Sequence, residues 1–528
     1  MKRSAIIGTA GAGKTTYLQH LKREYTKQGK SVLYLTFSRS AALEFAKREY
    51  NIEKLPQDIL TIHSLSARIL LSLNLITGEH LQKIKKIEKL KEIAIKHVDK
   101  KMKYSKNAFM PSVGNIKFNL INMYINTYYP RYKNINKVID MIAKVDKKAA
   151  QIAEVYYKLK ESEDVLDFND LLIKAAEEAV FDSYDVIILD EAQDLTNLQW
   201  YVLDHIEENA ERAIYAGDPF QSVYASLGAS PFEFLNRVGD KNKIHLEYCY
   251  RLPVSIYLYA KRHISRVINE RKLQKELEIQ AEPVKDESGK IKRVVGSIYT
   301  AVFLALKELE KDKSVYILTR TNYLANKIVN EFINRRIVPG ALKTNFHNPG
   351  LRKLHEINKF LEEVNKNGFK FTKKAKAILE AYGNDDVKKL IERVKNDDKQ
   401  AEQELAILLD NRLQEAQKSN KLDEIFTETE IKQKYQDLLD LFELDGKEKE
   451  LLRKGIVDES KKLKIDTIHA SKGREADTVI LVNMSKTSKN SLFEDFLWFV
   501  GITRARKKLI ILNPKKNNKA YKPWYLRL

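Results

Sequence analysis

The residues best suited to chemistry stand near the start of the chain, at Gly8-Thr9-Ala10-Gly11-Ala12-Gly13-Lys14-Thr15. Glycines at this spacing let a loop turn its N–H groups inward, where they and the first turn of a following helix can hold a polyphosphate. Lys14 then reaches the outer phosphates, and Thr15 ligates Mg²⁺. With Thr16 these residues form the candidate nucleotide-binding set. A second cluster, Asp190-Glu191, closes the apolar run Val186-Ile187-Ile188-Leu189. Carboxylates delivered at the C-terminal end of a buried strand supply the other half of such a site. Asp190 would hold Mg²⁺ through its water shell, and Glu191 would orient and deprotonate an attacking water.

These groups need a strand before the loop and a helix after it, and both patterns are present. Ala5-Ile6-Ile7 is the strand, and residues 16–28 carry Leu18, Leu21 and Tyr25 at helical spacing. Residues 31–37 read as a buried parallel strand, Ser38 as the N-cap of a helix over 39–49, and 59–62 and 64–73 as a further strand and helix. More strands are expected at 186–191, 212–216, 244–246, 315–318, 465–467, 478–482 and 509–512, too many for one sheet. Residues 76–165 turn long-helical and basic, with Tyr124, Tyr128, Tyr129, Tyr132, Tyr156 and Tyr157 interspersed. Residues 343–460 read as helices rich in Lys, Glu, Leu and Asp, without a persistent strand pattern.

A chain of 528 residues with 43% hydrophobic content can fill several cores. Its 93 Lys and Arg against 72 Asp and Glu suit a protein that meets a polyanion. The excess is concentrated, since residues 81–160 hold 19 basic and 6 acidic side chains, whereas 361–460 hold 19 and 24. No apolar run approaches the ~20 residues of a membrane span, and the first residues run directly into the loop strand, so neither membrane nor secretion signal is expected. The single cysteine, Cys249, excludes an internal disulfide or a zinc cluster and agrees with a reducing, cytoplasmic setting.

With these pieces in order the chain resembles the UvrD/Rep class of superfamily 1 helicases. Eight ordered blocks carry the resemblance. Beyond the loop, Leu35-Thr36-Phe37-Ser38 with Ala41-Ala42 is similar to motif Ia, Thr61-Ile62-His63-Ser64 to the Thr-x-His-Ser/Gly element, and Leu166-Asp167-Phe168-Asn169-Asp170-Leu171-Leu172 to the Asp-Phe-x-Asp-Leu stretch. Asp190-Glu191-Ala192-Gln193-Asp194 resembles motif II, Gly217-Asp218-Pro219-Phe220-Gln221-Ser222-Val223-Tyr224 motif III, and Tyr250-Arg251 motif IV. Thr467-Ile468-His469-Ala470-Ser471-Lys472-Gly473-Arg474-Glu475 resembles motif V, and Val500-Gly501-Ile502-Thr503-Arg504-Ala505-Arg506 motif VI.

The resemblance implies an α/β fold of two RecA-like motor domains, each with an inserted, mainly helical subdomain. The first motor domain is expected over 1–75 and 166–250 with its basic insertion at 76–165, and the second over 251–342 and 461–528 with its insertion at 343–460. ATP would lie between the motor domains and single-stranded DNA across them. Arg251 and Arg504 would meet the γ-phosphate, Gln221 would sense it, Tyr250 would stack on adenine, and Glu475 would accept a hydrogen bond from the ribose. Phe37, His63 and Tyr224 would touch DNA, and the basic insertion would follow its phosphates. The implied activity is 3′ to 5′ unwinding of DNA driven by hydrolysis of ATP with Mg²⁺. Single strands and single/double-strand junctions are the implied partners, with replication or repair proteins beside them and a monomer or weak dimer as the working state. A translocase or protein-displacing ATPase that does not separate duplexes, and an RNA substrate, stay open.

Two departures stand out. Relatives carry a Gln-containing segment upstream of the loop that reads adenine, and the present sequence holds no counterpart. Where motif III normally continues into Trp and Arg, this chain places Ser226 and Leu227.

Overall fold

The structure is a computed structural model. It describes residues 1–52, 55–102, 113–224, 227–273, 279–285, 289–335 and 337–340, then 353, 356–357, 360, 363, 372–396, 398–405, 407–408, 439, 441–444, 446, 449, 457–483 and 492–514. The chain forms two compact units, Met1–Gly296 with Leu318–Asn322 and Thr467–Leu528, and Ser297–Ile317 with Tyr323–Asp466.

The first unit is built on a six-stranded parallel sheet. In chain order its strands are β1 (Lys2–Ile7), β2 (Val32–Thr36), β3 (Ile59–Thr61), β4 (Val186–Asp190), β5 (Arg212–Gly217) and β6 (Lys243–His245), and they lie side by side as β3-β2-β4-β5-β1-β6. Register sets the consequence. Ile7 pairs with Gly217 and Thr36 with Asp190, so the loops that follow β1, β2, β4 and β5 leave the same edge of the sheet. Strands β2 and β4 are buried over all five of their residues, as apolar runs flanked by helices on both faces must be.

Helix starts follow local chemistry. α1 (Lys14–Lys27) begins at Gly13, whose φ of 82° admits the loop's turn. Ser38 caps α2 (Arg39–Tyr50) by accepting from the Ala41 N–H at 3.2 Å, as its place in the sequence suggests. Thr61 caps α3 (Ile62–Ser72) by accepting from the Ser64 N–H at 3.1 Å.

Residues 76–165 are helical among the described positions: α4 (Gly78–Lys83), α5 (Ile87–Val98), α6 (Val113–Tyr132), α7 (Ile135–Val145) and α8 (Lys147–Ser162). Leu90, Ile95, Phe118, Ile121, Ile142 and Ile152 are buried in one cluster that continues into Leu33, Leu35 and Leu189 beside the sheet. At the return to the sheet, Asp167 caps α9 (Phe168–Glu178). There Lys160, 4% exposed, donates to Asp167 at 2.8 Å and Asp170 at 2.6 Å, and lies 3.9 Å from the Tyr157 ring centroid. Two carboxylates and an aromatic face offset the desolvation of that ammonium.

After α10 (Asn197–Glu207) and the short α11 (Glu233–Asn236) come β7 (Tyr248–Pro253), α12 (Val254–Arg271), β8 (Glu282–Lys285) and β9 (Lys290–Gly296). β7 pairs in parallel with β8. The chain continues through α13 (Ile298–Leu309), β10 (Val315–Thr319), α14 (Asn322–Asn334), β11 (Ile337–Gly340), α15 (Lys373–Tyr382), α16 (Asp385–Lys395), β12 (Val457–Thr467), β13 (Ala476–Val482), α17 (Leu492–Ile502) and β14 (Ala505–Pro514). β14 lies between β13 and β9, parallel to both, giving the first unit a second parallel array. In the second unit β11 pairs in parallel with β12, and α15 and α16 pack through Leu379, Val387 and Ile391.

The α/β fold with parallel sheets agrees with the sequence expectation. Four strands go beyond it, namely β7, β8, β9 and β11. β12 also begins at Val457, inside the stretch expected to lack strands, and most of the rest of 343–460 lies outside the described residues. β9 shows why such strands escape notice, since its seven residues KIKRVVG neither alternate strictly nor form a continuous apolar run.

Removing the buried ammonium should expose what holds the insertion to the sheet. Lys160→Met is expected to lower the unfolding free energy by about 3 kcal/mol because it strands Asp167 and Asp170. Lys158→Ala, on the exposed face of the same helix, should change it by under about 0.5 kcal/mol. Urea unfolding followed by circular dichroism compares the two.

Candidate nucleotide site and adjoining groove

The loop after β1 and the loops after β4 and β5 line one cavity of about 490 Å³. Its wall includes Ala10 to Thr16, Asp190, Glu191, Gln221, Tyr250, Arg251, Glu475 and Arg504, so most of the expected nucleotide residues come together. Gly8 and Thr9 lie behind it, where their carbonyls accept from Lys14 Nζ at 2.7 and 3.4 Å. Gly11 has φ 78°, and a Cβ there would come within 2.2 Å of the Arg251 Cβ. Glycine thus meets two needs at once, the left-handed turn and the close approach of β7. On β7 the Tyr250 N–H donates to the Gly11 carbonyl at 2.9 Å, and the Tyr250 ring is 57% exposed.

Asp190 lies at the end of β4, 5% exposed. It accepts from Thr15 Oγ1 at 3.0 Å and from the Tyr34 hydroxyl at 2.8 Å. Burial, then the adjacent Glu191 charge, raises its carboxyl above the usual range. A divalent cation would relieve that cost, so the donor set fits one. Among the described residues no group of three or more His, Cys, Asp or Glu could hold a metal alone, so such a cation would complete its shell with water and phosphate.

Glu191 occupies the left-handed region at φ 57° and ψ 38°, a strained conformation for a non-glycine residue that swings its carboxylate out of line with β4. Burial would raise this carboxyl, but the ammonium groups of Lys472 and Lys14 outweigh it and bring it to about 2. Lys472 reaches Glu191 at 3.1 Å, pairs also with Asp194, and donates to the Gln221 carbonyl at 3.1 Å.

A hydrogen-bond chain runs from this carboxylate to Arg504. Gln193 Nε2 donates to Glu191 at 2.5 Å, and its Oε1 accepts from the Asp218 N–H at 3.1 Å. Gln221 Nε2 donates to Asp218 at 2.6 Å, and its Oε1 accepts from Arg504 Nη2 at 2.8 Å. Each amide's orientation is forced, because a carboxylate can only accept and an N–H or guanidinium can only donate. Arg504 is 1% exposed and also donates to the Val500 carbonyl at 2.9 Å. Arg251 pairs with Glu475 at 2.7 Å, and Arg506, in the same wall, lies 3.6 Å from Glu475.

The three expected DNA contacts are elsewhere in the unit. Phe37 and Tyr224 stack on each other, centroids 4.4 Å apart and tilted by 30°. Phe37 and His63 both line a groove of about 790 Å³ with Arg39, Lys91, Phe168 and Asn169. Burial pulls His63 down to about 4, so its ring is neutral near pH 7. Phe168, 57% exposed and edge-on to His63 at 5.8 Å, was singled out only as part of its motif block. It stands between Asp167 and Asn169 at the start of α9, and its exposure is visible only in the fold. Lys472 and Gln193 likewise stood in motif blocks without a role, since their partners are distant in sequence or buried. Ser226 lies outside the described residues, and Leu227 presents its carbonyl to α6.

A parallel sheet whose strand ends converge on a glycine loop and a paired carboxylate defines a P-loop α/β protein. Residues 2–242 match the UvrD/REP helicase N-terminal domain and residues 462–512 the UvrD-like helicase C-terminal domain. The chain belongs to the UvrD/Rep-type helicase family. It is 24% identical over 360 residues to a probable DNA helicase II homolog of Mycoplasma capricolum, covering 63% of this chain and 49% of that one. With the ATP-dependent DNA helicase PcrA of Leuconostoc citreum it shares 27% over 287 residues, 48% of this chain and 35% of the other. With the ATP-dependent DNA helicase UvrD2 of Mycobacterium tuberculosis it shares 35% over 135 residues, 22% and 19% of the two chains. The chain thus spans between a fifth and a half of the length of these relatives. Among the described residues no helix is long and apolar enough to cross a membrane.

The Glu191 environment sets a pH test. A carboxyl held near 2 stays ionised through the working range, so if Glu191 is the base of an ATP hydrolysis, the rate should show no acid limb from it above about pH 4. Lys472→Ala removes the largest influence holding that carboxyl down and leaves burial to push it up, so activity should begin to fall at a higher pH than in the unaltered protein. Initial rates from about pH 3.5 to 9 measure the limb, and coincident profiles across that window would refute the assignment.

Proposed function

We propose that this protein is an ATP-driven motor on single-stranded DNA that separates duplexes, in keeping with the helicase names its relatives carry. The observation that carries the reading is the chain of hydrogen bonds from Glu191 to Arg504, which links a candidate base to a candidate phosphate-neutralising guanidinium through Gln221. Lys14 and the loop N–H groups would hold the phosphates, while Thr15 and Asp190 would hold Mg²⁺, which would supply neutralisation of phosphate charge. Glu191 takes the proton of the attacking water, and Arg251 and Arg504 meet the charge that develops on the γ-phosphate. Tyr250 stacks on the base, and Glu475 accepts from the ribose once Arg251 turns to the phosphate.

Gln221 opens the loop that leads to Tyr224, so a change at the phosphate moves the ring that stacks on Phe37. We assign Phe37, His63, Tyr224 and Phe168 to the DNA path. The neutral His63 ring contributes stacking and a hydrogen bond rather than charge. The basic insertion at 76–165 follows the phosphates, with binding that weakens as salt rises. The expected division into two motor domains and two insertions, and 3′ to 5′ movement, belong to this reading and rest on the resemblance. A second reading, translocation without unwinding, is favoured by Leu227, which offers DNA no cation.

Strand displacement on forks bearing a 3′ or a 5′ single-stranded tail, with ATP and Mg²⁺, tests function and direction together. Release from the 3′-tailed fork alone is expected, and hydrolysis stimulated by single strands without any release would establish the second reading. Lys14→Ala and Glu191→Gln should each reduce stimulated hydrolysis by about a hundredfold or more, with ATP binding retained in Glu191→Gln. Phe37→Ala and Tyr224→Ala should each weaken single-strand binding by about tenfold, and unchanged affinity in both would remove the stacking path.

A further inference from the structure

The loop that begins at Gln221 joins two places that the motor reading treats separately. At its near end Gln221 bonds Arg504 and Asp218, and its carbonyl accepts from Lys472. At its far end the Leu227 carbonyl accepts from Asn126 Nδ2 at 2.8 Å, and Asn126, on α6 of the insertion, is 7% exposed. Gly228 follows with φ 88°, where a Cβ would stand 3.0 Å from Thr127 Oγ1 and 3.2 Å from the Met123 carbonyl. Only glycine lets the loop seat this closely on the helix. Asn197, on α10, donates to the Thr127 carbonyl at 3.3 Å and steadies the same turn of α6. Between the two ends, the Tyr224 carbonyl accepts from the Leu227 N–H at 2.9 Å and the Ala229 N–H at 3.2 Å. The far end therefore moves with Tyr224.

We propose that Asn126 is a positioning residue that fastens the phosphate-sensing loop to α6, so that nucleotide binding is transmitted into the basic insertion as well as to Phe37. A buried carbonyl left without its donor carries a desolvation cost. When Gln221 shifts with the phosphate, the loop therefore draws α6 along instead of sliding over it. The proposal rests on the motor reading for its purpose but not for its test.

Hydrogen–deuterium exchange of the full chain, with and without Mg²⁺ and a non-hydrolysable ATP analogue, reads the transmission directly. In the unaltered protein the analogue should slow exchange both in peptides covering 217–230 and in those covering 118–132. Asn126→Asp, which keeps the size but presents a carboxylate to the carbonyl, should retain the first response and lose the second. Gly228→Ala should give the same loss from the loop side, and circular dichroism verifies that the helices persist in both. A response confined to 217–230 in the unaltered protein, or a full response in both variants, overturns the proposal.

Measurements on the same samples separate this claim from the one beneath it. Stimulation of hydrolysis by single-stranded DNA should fall about fivefold in Asn126→Asp, the equilibrium equivalent of one net hydrogen bond. Loss of DNA affinity in proportion to the loss of stimulation would make Asn126 a DNA contact and sink the fastening role. A transmitted exchange response in a protein that DNA does not stimulate at all would sustain the fastening and defeat the motor.

Discussion

Two adjacent carboxylates at the end of a buried strand are the constraint around which the first unit is arranged. Burial opposes charging either one, and for Asp190 the adjacent Glu191 charge adds to the cost. Lys14 lies close enough to lower both carboxyls, but Glu191 also requires Lys472, more than two hundred residues away. The left-handed backbone at Glu191 separates the two roles further. Asp190 stays in line with the strand against Thr15 and Tyr34, while Glu191 turns toward Gln193 and Lys472. The same strand end thus supplies one carboxyl raised by burial and one held down by cations.

Lys472 makes that compensation conditional. Its ammonium is held by Glu191, by Asp194 and by the Gln221 carbonyl, so the segment after β12 cannot move without disturbing all three. Arg504 reaches Gln221 from a different element, just after α17. Chains of hydrogen bonds whose every member is satisfied polarise one another and tolerate few alternative geometries. A cavity walled this way ties Glu191, Gln221 and Arg504 to one another, the coupling that the proposed response to a γ-phosphate would need.

The sequence made the sheet and the phosphate loop legible because both are local. An apolar run of five to seven residues, a glycine loop and a helical period suffice to place β1, α1, β2 and β4, and Ser38 announces its helix by itself. The helices of residues 76–165 were readable from their period. Strands β7 to β9 were not, because they are short or mix charged with apolar residues and depend on partners elsewhere for their pairing. The same division holds in the site. Lys14, Asp190, Glu191, Gln221, Arg251 and Arg504 declare themselves by motif, and the structure brings them to one cavity. Gln193, Lys472, Lys160 and Asn126 act through contacts set by tertiary packing, which no spacing along the chain encodes.

The Phe37–Tyr224 stack bears on how the proposed DNA path would work. A base entering between these rings must first part them, and an aromatic pair of this kind contributes about 0.5–1.5 kcal/mol beyond its buried area. Stacking of a base on an aromatic side chain contributes roughly 1–3 kcal/mol, so the exchange is mildly favourable and nearly reversible. That balance suits a motor better than tight gripping would. Because Tyr224 is on the loop that begins at Gln221, a small shift at the phosphate would, on the proposed reading, bias an exchange whose two sides differ by no more than about 2.5 kcal/mol.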